Sequence, residues 1–525
     1  MSTHRSYHAK GLNLFTAQLL SVVALAHLAA PAAAQQVTTL ESLDAYFAAA
    51  AQEWQVPGMA VAIVKDDQVV FAKGYGVRDI ERGGRVDEHT LFAIASNSKA
   101  FTAAALAILV DRGMISWDDP VRKYLPYFEI YDPFVSSEMR VRDLLCHRSG
   151  LGTYSGDLLW YGTEYSAEEV VRRARFLPAA GSFRAYYGYS NIMFIAAGEI
   201  IPAVTGRRWE DFVHEHFFDV LGMRNTVTSV RRLQDHPNTA TPHGEVDGEL
   251  VTFPWYNWDA MAAAGGIISS VSDMAQWLRL QLNRGTIGGN TVFSEEAARA
   301  MWTPHTPRPI SRSSEELFPS THFSAYGLGW GLIDYQGRKV VNHGGAYDGM
   351  FSRTAFVPEE NLGLVVLTNS MTSLPRALMY RILDAYLGGE ERDWSGEFLE
   401  TAARRKQQAE ERRKKEESQR VPNTRPSLPL EAYTGTYGGE MYGDAAVALE
   451  DGKLVVQFLP NPDLTGDLSH WHFDTFLVRW RQRFPWFGGG TVQFLMDDAG
   501  KVVEMKIDVP NEDFWFTELE FKRKP

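Results

Sequence analysis

The sequence predicts an α/β (α+β) fold: one antiparallel sheet flanked by helices, carrying a mostly helical inserted subdomain, with a small antiparallel β-barrel behind it. Three observations predict it. A β-branched hairpin pattern stands at residues 59–77, and strand patterns return only at residues 326–368. The stretch between them reads as mostly helical. After a charged, proline-bearing segment at 390–429, residues 430–525 fall into short alternating runs separated by turn signals. A sheet begun at one end of a domain and completed at the other leaves the intervening chain as an insertion on one side.

Length and charge bound the rest. The chain has 525 residues, enough for several domains, and a formal net charge of -13. That charge argues against nucleic acid as a partner, because phosphate binding needs a basic surface. Residues 1–34 read as a signal peptide. Arg5 and Lys10 give a positive start, residues 12–30 are apolar, and Ala32-Ala33-Ala34 before Gln35 fits a small-residue cleavage site. A retained membrane anchor is the alternative, since the apolar run is nearly long enough to span. Cys146 is the only cysteine, so there is no internal disulfide and no lipidated cysteine at the cleavage point. The expected location is the periplasm or the cell exterior, with no stable membrane insertion after cleavage.

In chain order, residues 37–54 should be a helix packing on the first domain. Residues 59–77 form the hairpin, turning at Lys65-Asp66-Asp67-Gln68. Residues 95–114 read as a buried helix rich in alanine, with Gly113 as its stop. Helical signals then follow at Asp118-Asp119-Pro120, 141–146, 190–205 and 209–221. A helix at 269–282 has Ser272 as its expected cap. Strands are expected at 326–334, 339–343, 351–357 and 363–368, and a closing helix at 375–387. Together these make a domain over 37–388. Residues 404–420 hold eight Lys/Arg and four Glu, so 390–429 reads as a solvated, partly helical linker. Barrel strands are expected at 445–449, 453–458, 472–481, 490–496, 502–509 and 516–522 of the 430–525 module.

The chemistry centres on Ser96-Asn97-Ser98-Lys99. Residues three apart share a helix face, so the Lys99 amine can reach the Ser96 hydroxyl. A helix start adds free N–H groups and a positive dipole end. Alone, the tetrapeptide is better read as a capping serine and a solvated lysine, because S-x-x-K is common by chance. Two further features change the balance. Tyr189-Ser190-Asn191 stands directly ahead of a helix, and His343-Gly344-Gly345 closes the strand 339–343, where two glycines let a substrate backbone approach. No G-x-S-x-G elbow is present. Ser149 is a rival nucleophile without a lysine at the right spacing. His214 and His216 are two apart on a helix and point away from each other, so no metal site is expected. Cys146 sits in an apolar helix and reads as inert. No cofactor is expected.

These residues resemble the serine β-lactamase and penicillin-binding-protein superfamily, closest to its class C β-lactamase, D-alanyl-D-alanine carboxypeptidase and esterase branch. The three motifs occur in order, and Trp117-Asp118-Asp119-Pro120, His147-Arg148-Ser149-Gly150-Leu151, Leu221-Gly222-Met223 and Tyr326-Gly327-Leu328-Gly329-Trp330 are similar too. The tail after Leu430 resembles the lipocalin-like domain appended to some of these hydrolases. The resemblance implies a β-lactamase/transpeptidase-like fold and site roles. Ser96 would form an acyl-enzyme, with Lys99 as base and Tyr189, as a Lys99-stabilised phenolate, sharing that duty. Asn191 would position the substrate amide and the Lys99 side chain. The backbone N–H groups of Ser96 and Ala346 would form the oxyanion hole beside Gly344 and Gly345, and Tyr189 with His343 would activate the deacylating water.

Two departures narrow the reading. The class A glutamate pattern E-x-x-L-N is absent, since Leu-Asn occurs only at 12–13 and 282–283 without that glutamate. His343-Gly344-Gly345 stands where β-lactamases usually carry K-T-G. A partly cationic histidine and a glycine without a hydroxyl both weaken carboxylate recognition. The expected activity is therefore a secreted or periplasmic serine hydrolase of esterase, D-aminopeptidase or carboxypeptidase type, acting on ester, peptide or β-lactam bonds of a small-molecule or peptide substrate. The alternative is a non-catalytic cell-wall or ligand-binding protein that kept the fold. Tyr154, Trp160, Tyr186, Tyr187, Trp255, Tyr256, Trp258 and Tyr347 are candidates for an apolar acyl pocket, although core packing explains aromatics as well.

Overall fold

The hairpin forms as Gly58–Lys65 and Gln68–Asp79, with Asp66 and Asp67 both at positive φ (50° and 63°). Two such residues make the turn whose twist matches the flanking strands. The computed structural model describes residues 39–246 and 248–525. The signal segment expected at 1–34 lies outside the described residues. Among the described residues no helix is long and apolar enough to cross a membrane.

The hairpin joins a nine-stranded antiparallel sheet. Gly58–Lys65 pairs with Leu362–Thr368, with Met59 opposite Thr368 and Lys65 opposite Leu362, so both ends of the domain do complete one sheet. Alternation sorts the side chains of this central strand. Met59, Val61 and Ile63 pack with Leu43, Phe47, Leu378 and Ile382, from the helices Leu40–Glu53 and Leu374–Leu387 on one face. Ala60, Ala62 and Val64 face the other layer, which holds the helices Ser98–Asp111 and Val271–Leu282. A strand covered on both faces is apolar throughout, as this one is. Phe101 and Trp277 stack at 3.8 Å between those two helices.

Several boundaries differ from expectation for local reasons. Residues 326–334 are two strands, Ser324–Tyr326 and Gly331–Tyr335, because the Gly327 N–H donates to the Trp330 carbonyl (2.7 Å) and folds a loop between them. The strand expected at 339–343 runs on through the glycines as Arg338–Tyr347, held by its partner Met350–Val357. Ser270, not Ser272, caps the helix that follows it, accepting from the Asp273 N–H. The region 209–221 contains a π-helical stretch, His214–Phe218. The 390–429 segment holds a 25-residue helix, Trp394–Ser418, whose first turn buries Trp394 and Phe398 against Phe318 and Tyr380 and whose remainder is solvated.

The C-terminal module is a closed eight-stranded barrel. Two of its strands, Gly435–Gly439 and Asn461–His472, carried no clear sequence signal, because glycine, proline and aspartate interrupt their alternation. His472 ends one strand rather than starting the next, and residues 516–522 split into a turn, Phe516–Glu518, and a short strand, Phe521–Arg523. The barrel packs on the inserted helical region. Tyr165 donates to the Tyr442 carbonyl (2.7 Å) and Arg173 to that of Met441 (2.8 Å). Asn461 donates to the Tyr161 carbonyl (2.9 Å), and the Glu518 carboxylate accepts from the Ser155 hydroxyl (2.5 Å) and the Gly156 N–H (2.9 Å).

Trp277 is fully buried against Phe101 and Phe217. Trp277→Ala should lower stability by about 3–5 kcal/mol, read as an earlier urea midpoint by far-UV circular dichroism. An unchanged midpoint would show that this contact does not anchor the serine helix.

Candidate active site

Ser96 lies in a single tight turn, Ala95–Asn97, that leads into the helix Ser98–Asp111. Ala95 adopts φ +46°, a costly conformation for a residue with a Cβ. Neighbouring hydrogen bonds hold it there. The Asn97 amide donates to the Ser352 hydroxyl (2.8 Å), and Ser352 donates to the Ile94 carbonyl (2.8 Å). Ser98 accepts from the Ile267 N–H (3.0 Å). The nucleophile candidate is thus clamped between the sheet and the 262–268 segment.

Lys99 follows on the same face and is fully buried. Its Nζ contacts Ser96 Oγ at 3.0 Å, Asn191 Oδ1 at 2.7 Å and the Ala264 carbonyl at 2.8 Å. Burial brings its pKa down to about 7, against the opposing pull of Asp157. An amine poised there exchanges one proton near neutral pH, and the neutral form can accept the Ser96 proton. Asn191 opens the helix Asn191–Thr205, capped by Ser190. Its Nδ2 donates to Asp157 Oδ2 (2.6 Å), which fixes the amide with its oxygen toward Lys99. Burial pushes the Asp157 carboxyl up to about 8, against the Trp160 indole, Asn191 and Lys99.

The Tyr189 ring lies 4.9 Å from Lys99 Nζ and 4.1 Å from the His147 ring. Burial holds its phenol well above the usual range, and its contact with the Ser96 hydroxyl only partly offsets that. The group beside Ser96 is therefore a phenol, not the phenolate expected from sequence. His147 accepts the Ser190 N–H on Nδ1 (3.0 Å), and so orients the Tyr189-Ser190-Asn191 turn. His343 has both nitrogens engaged, Nδ1 with the Gly344 carbonyl (2.6 Å) and Nε2 with the Tyr326 hydroxyl (2.7 Å). A carbonyl only accepts, so Nδ1 carries the proton and Nε2 accepts from Tyr326. Burial and the nearby Lys99 drive its pKa to about 3, so the partly cationic histidine expected here is neutral.

Register explains the strand edge beside Ser96. Tyr347 and Met350 close a two-residue hairpin, which makes them a hydrogen-bonded pair. Alternation then turns the N–H groups of Ala346 and Gly344 away from Met350–Val357. The neighbour on that side, Gly331–Tyr335, stops pairing at Asn342. The edge from His343 to Ala346 is therefore free and faces the serine turn. Gly345 must lack a side chain, because a Cβ there would sit 2.1 Å from the Ile94 carbonyl. Gly344 pairs with Arg353, and a Cβ on it would press 3.1 Å from the guanidinium. A cation thus returns to this edge from the strand partner, although the His-Gly-Gly motif itself has none.

Ser96, Tyr189, Asn191, His343, Gly344, Gly345 and Ala346 all line one cavity of about 420 Å³. Four of the eight aromatic candidates line it, Tyr154, Trp160, Tyr187 and Trp258. Trp255, Tyr256 and Tyr347 pack beside it on one another. Ser149 and Cys146 are buried away from it, and burial pushes the Cys146 thiol up to about 12. Among the described residues no group of three or more His, Cys, Asp or Glu side chains could hold a metal ion. Sequence reasoning missed Asp157 and His147 as site residues, Arg353, and three barrel residues in the lining: Trp486, Asp513 and Phe514.

Gly345→Ala should displace the Ile94–Ser96 turn. A shift of that size typically costs about 10²-fold in rate, so labelling of Ser96 by a fluorophosphonate should slow by about that factor while circular dichroism stays native. Wild-type labelling by Gly345→Ala would refute the close approach.

Comparison with known proteins places this geometry. The family model for beta-lactamase matches residues 43–387, and that for a domain of unknown function (DUF3471) matches residues 419–523. The unguisins hydrolase ungD of Aspergillus violaceofuscus is 30% identical over 436 residues, covering 76% of this chain and 75% of that protein. Protein flp of Staphylococcus aureus is 25% identical over 347 residues, covering 64% of this chain and 63% of flp. In fold, the chain is similar to the octameric penicillin-binding protein homologue from Pyrococcus abyssi, with a TM-score of 0.61 and 22% identity over 93% of this chain and 100% of that one. The chain belongs to the β-lactamase family, with the fold of a serine hydrolase.

Proposed function

We propose that the protein is an exported serine hydrolase that cleaves ester or amide bonds, peptide or β-lactam bonds among them, through an acyl-enzyme on Ser96. The observation that carries this reading is the buried Lys99 amine, 3.0 Å from Ser96 Oγ and brought to a pKa of about 7. A free serine hydroxyl is a weak nucleophile and needs an adjacent base. Neutral Lys99 takes the Ser96 proton as Oγ attacks the carbonyl carbon. The oxyanion is met by the N–H groups of Ser96 and Ala346, each such donor contributing about 10²–10³ in rate. The Tyr189 hydroxyl hands a proton to the leaving group and is reprotonated by the Lys99 ammonium. Water then attacks the acyl carbon, giving its proton back along Tyr189 and Lys99, and Ser96 is released. His343, neutral and engaged on both sides, contributes by fixing the strand edge and Tyr326. The reading of export to the periplasm or cell exterior rests on the Arg5, Lys10 and apolar pattern of residues 1–34.

The relative named an unguisins hydrolase supports hydrolysis as the activity class. A non-catalytic ligand-binding role gives no reason to bury an amine against a strained serine turn.

The test is covalent labelling with turnover. A fluorophosphonate should modify wild type at Ser96 and leave Ser96→Ala unmodified. Lys99→Ala should lose about 10²–10⁴-fold in p-nitrophenyl ester turnover, the range for a general base. Equal labelling of Ser96→Ala, or a Lys99→Ala protein as active as wild type, would overturn the reading. Wild type that neither labels nor turns over would favour the binding role.

A further inference from the structure

We infer that Asp348 is a positioning residue for the reaction. Its buried carboxyl ties the strand end that carries the Ala346 oxyanion N–H to the two segments that hold Lys99 in place. The inference rests on the acyl-enzyme reading above and adds the group that keeps its two halves, oxyanion donor and base, in register.

The first observation is where the carboxyl sits and what it holds. Asp348 is fully buried in the turn between Tyr347 and Met350, two residues beyond Ala346 at the end of the strand Arg338–Tyr347. The Tyr161 hydroxyl donates to its Oδ1 (2.6 Å) and the Trp258 indole N–H to its Oδ2 (3.0 Å). Both donors belong to segments that act on Lys99. The Tyr161 N–H donates to the Asp157 carbonyl (3.2 Å), and Asp157 orients the Asn191 amide whose oxygen contacts Lys99. Trp258 directly precedes the turn Asp259–Met261 and the short helix Ala262–Gly265, whose Ala264 carbonyl accepts from Lys99 (2.8 Å). One carboxyl therefore bridges three stretches of chain that meet around Ser96 from different sides. Trp258 also walls the cavity, so the same contact sets the face it presents there.

The second observation is that packing alone does not explain a carboxyl here. No Lys, Arg or His pairs with Asp348 among the described residues. Burying a carboxyl without a counter-cation costs free energy, and a turn can be closed by apolar contacts instead. Burial raises its pKa to about 7, against the pull of Tyr161, Trp486 and Trp258. The bridge holds in either charge state. An indole N–H only donates, so Oδ2 accepts from Trp258 throughout, and a proton on Oδ1 is shared with the Tyr161 oxygen. The rest of the turn has no freedom to compensate for a lost bridge. The His243 N–H donates to the Gly349 carbonyl (3.1 Å), and Gly349 stands at φ +86°, where a Cβ would lie 2.8 Å from the His243 nitrogen. The Tyr347 hydroxyl donates to the Tyr256 carbonyl (2.6 Å). Ala346 itself has a partner strand on one side only, because Gly331–Tyr335 stops pairing at Asn342. The direction of its N–H therefore depends on the turn that follows it, and Asp348 anchors that turn from the cavity side.

The experiment compares, on the full chain, a p-nitrophenyl ester with its thionoester, in which sulfur replaces only the carbonyl oxygen. Sulfur is a weak acceptor of N–H hydrogen bonds. The ester-to-thionoester ratio of kcat/KM, divided by the same ratio with hydroxide, therefore reports the oxyanion donors and not the folded fraction. Wild type should favour the ester by about 10²–10³, the contribution of one such donor. Asp348→Ala should cut that preference about tenfold or more, through kcat on the ester rather than KM, since a misplacement of about 1 Å can cost about 10²-fold. Asp348→Asn, which keeps an acceptor for Trp258, should restore part of it. Tyr161→Phe removes one donor without opening a cavity and should lower the ratio in the same direction. A folding defect slows both substrates equally and leaves the ratio intact, so it cannot mimic the expected result. An unchanged ratio in Asp348→Ala, or in Tyr161→Phe where the alanine variant does not fold, would overturn the inference alone. A wild-type ratio no greater than that of hydroxide would remove the oxyanion donors on which it rests. Failure of the fluorophosphonate to label wild type would overturn the acyl-enzyme reading itself.

Discussion

A lysine ammonium withdrawn from water costs several kcal/mol unless protein groups replace its hydration, and Lys99 is fully buried. The site can be read as the set of constraints that make this burial tolerable. The serine turn brings one acceptor, the Asn191 side chain a second and the Ala264 carbonyl a third. Each comes from a different part of the chain, so the position of Lys99 couples the helix after Ser96, the inserted helical region and the small-residue segment 262–266. Small residues are needed there because the Lys99 and Thr102 side chains both reach its backbone carbonyls. Asp157 extends the coupling one step further by fixing which way the Asn191 amide faces.

The sheet supplies the second half of the site through register rather than side chains. A free edge from His343 to Ala346 exists only because Gly331–Tyr335 ends its pairing at Asn342. Gly345 lets that edge meet the Ile94 carbonyl, and the neutral His343, tied to Tyr326 and Gly344, stiffens it. The barrel closes the remaining side. It is bound to the loop that carries Asp157 by Glu518 and Asn461, so cavity shape and barrel docking are one property.

Much of this was legible in the sequence where the signal is local. The Asp66-Asp67 hairpin, the Ser96 to Lys99 spacing and the place of Tyr189-Ser190-Asn191 at a helix start depend on neighbours within a few residues. So does the presence of a barrel, through its repeated turn residues. What stayed hidden is long-range. Asp157 is one of many aspartates in a loop, and only its meeting with Asn191, 34 residues on, gives it a role. Arg353 reaches the His-Gly-Gly edge by cross-strand pairing with Gly344, which no linear motif records. Asp513 lies more than 350 residues from Asp157 in sequence and meets the cavity only because the barrel docks. The protonation states of Tyr189 and His343 were misread for the same reason, since burial, which sequence spacing does not report, dominates both.

The most direct test of the central claim, that Lys99 is held as a titratable base by burial, is the pH dependence of Ser96 acylation by a fluorophosphonate. The labelling rate should rise with pH through a single midpoint near 7, because acylation needs the neutral amine and burial favours that form. A midpoint near the ordinary lysine value of about 10.4, or a rate independent of pH between these limits, would contradict it.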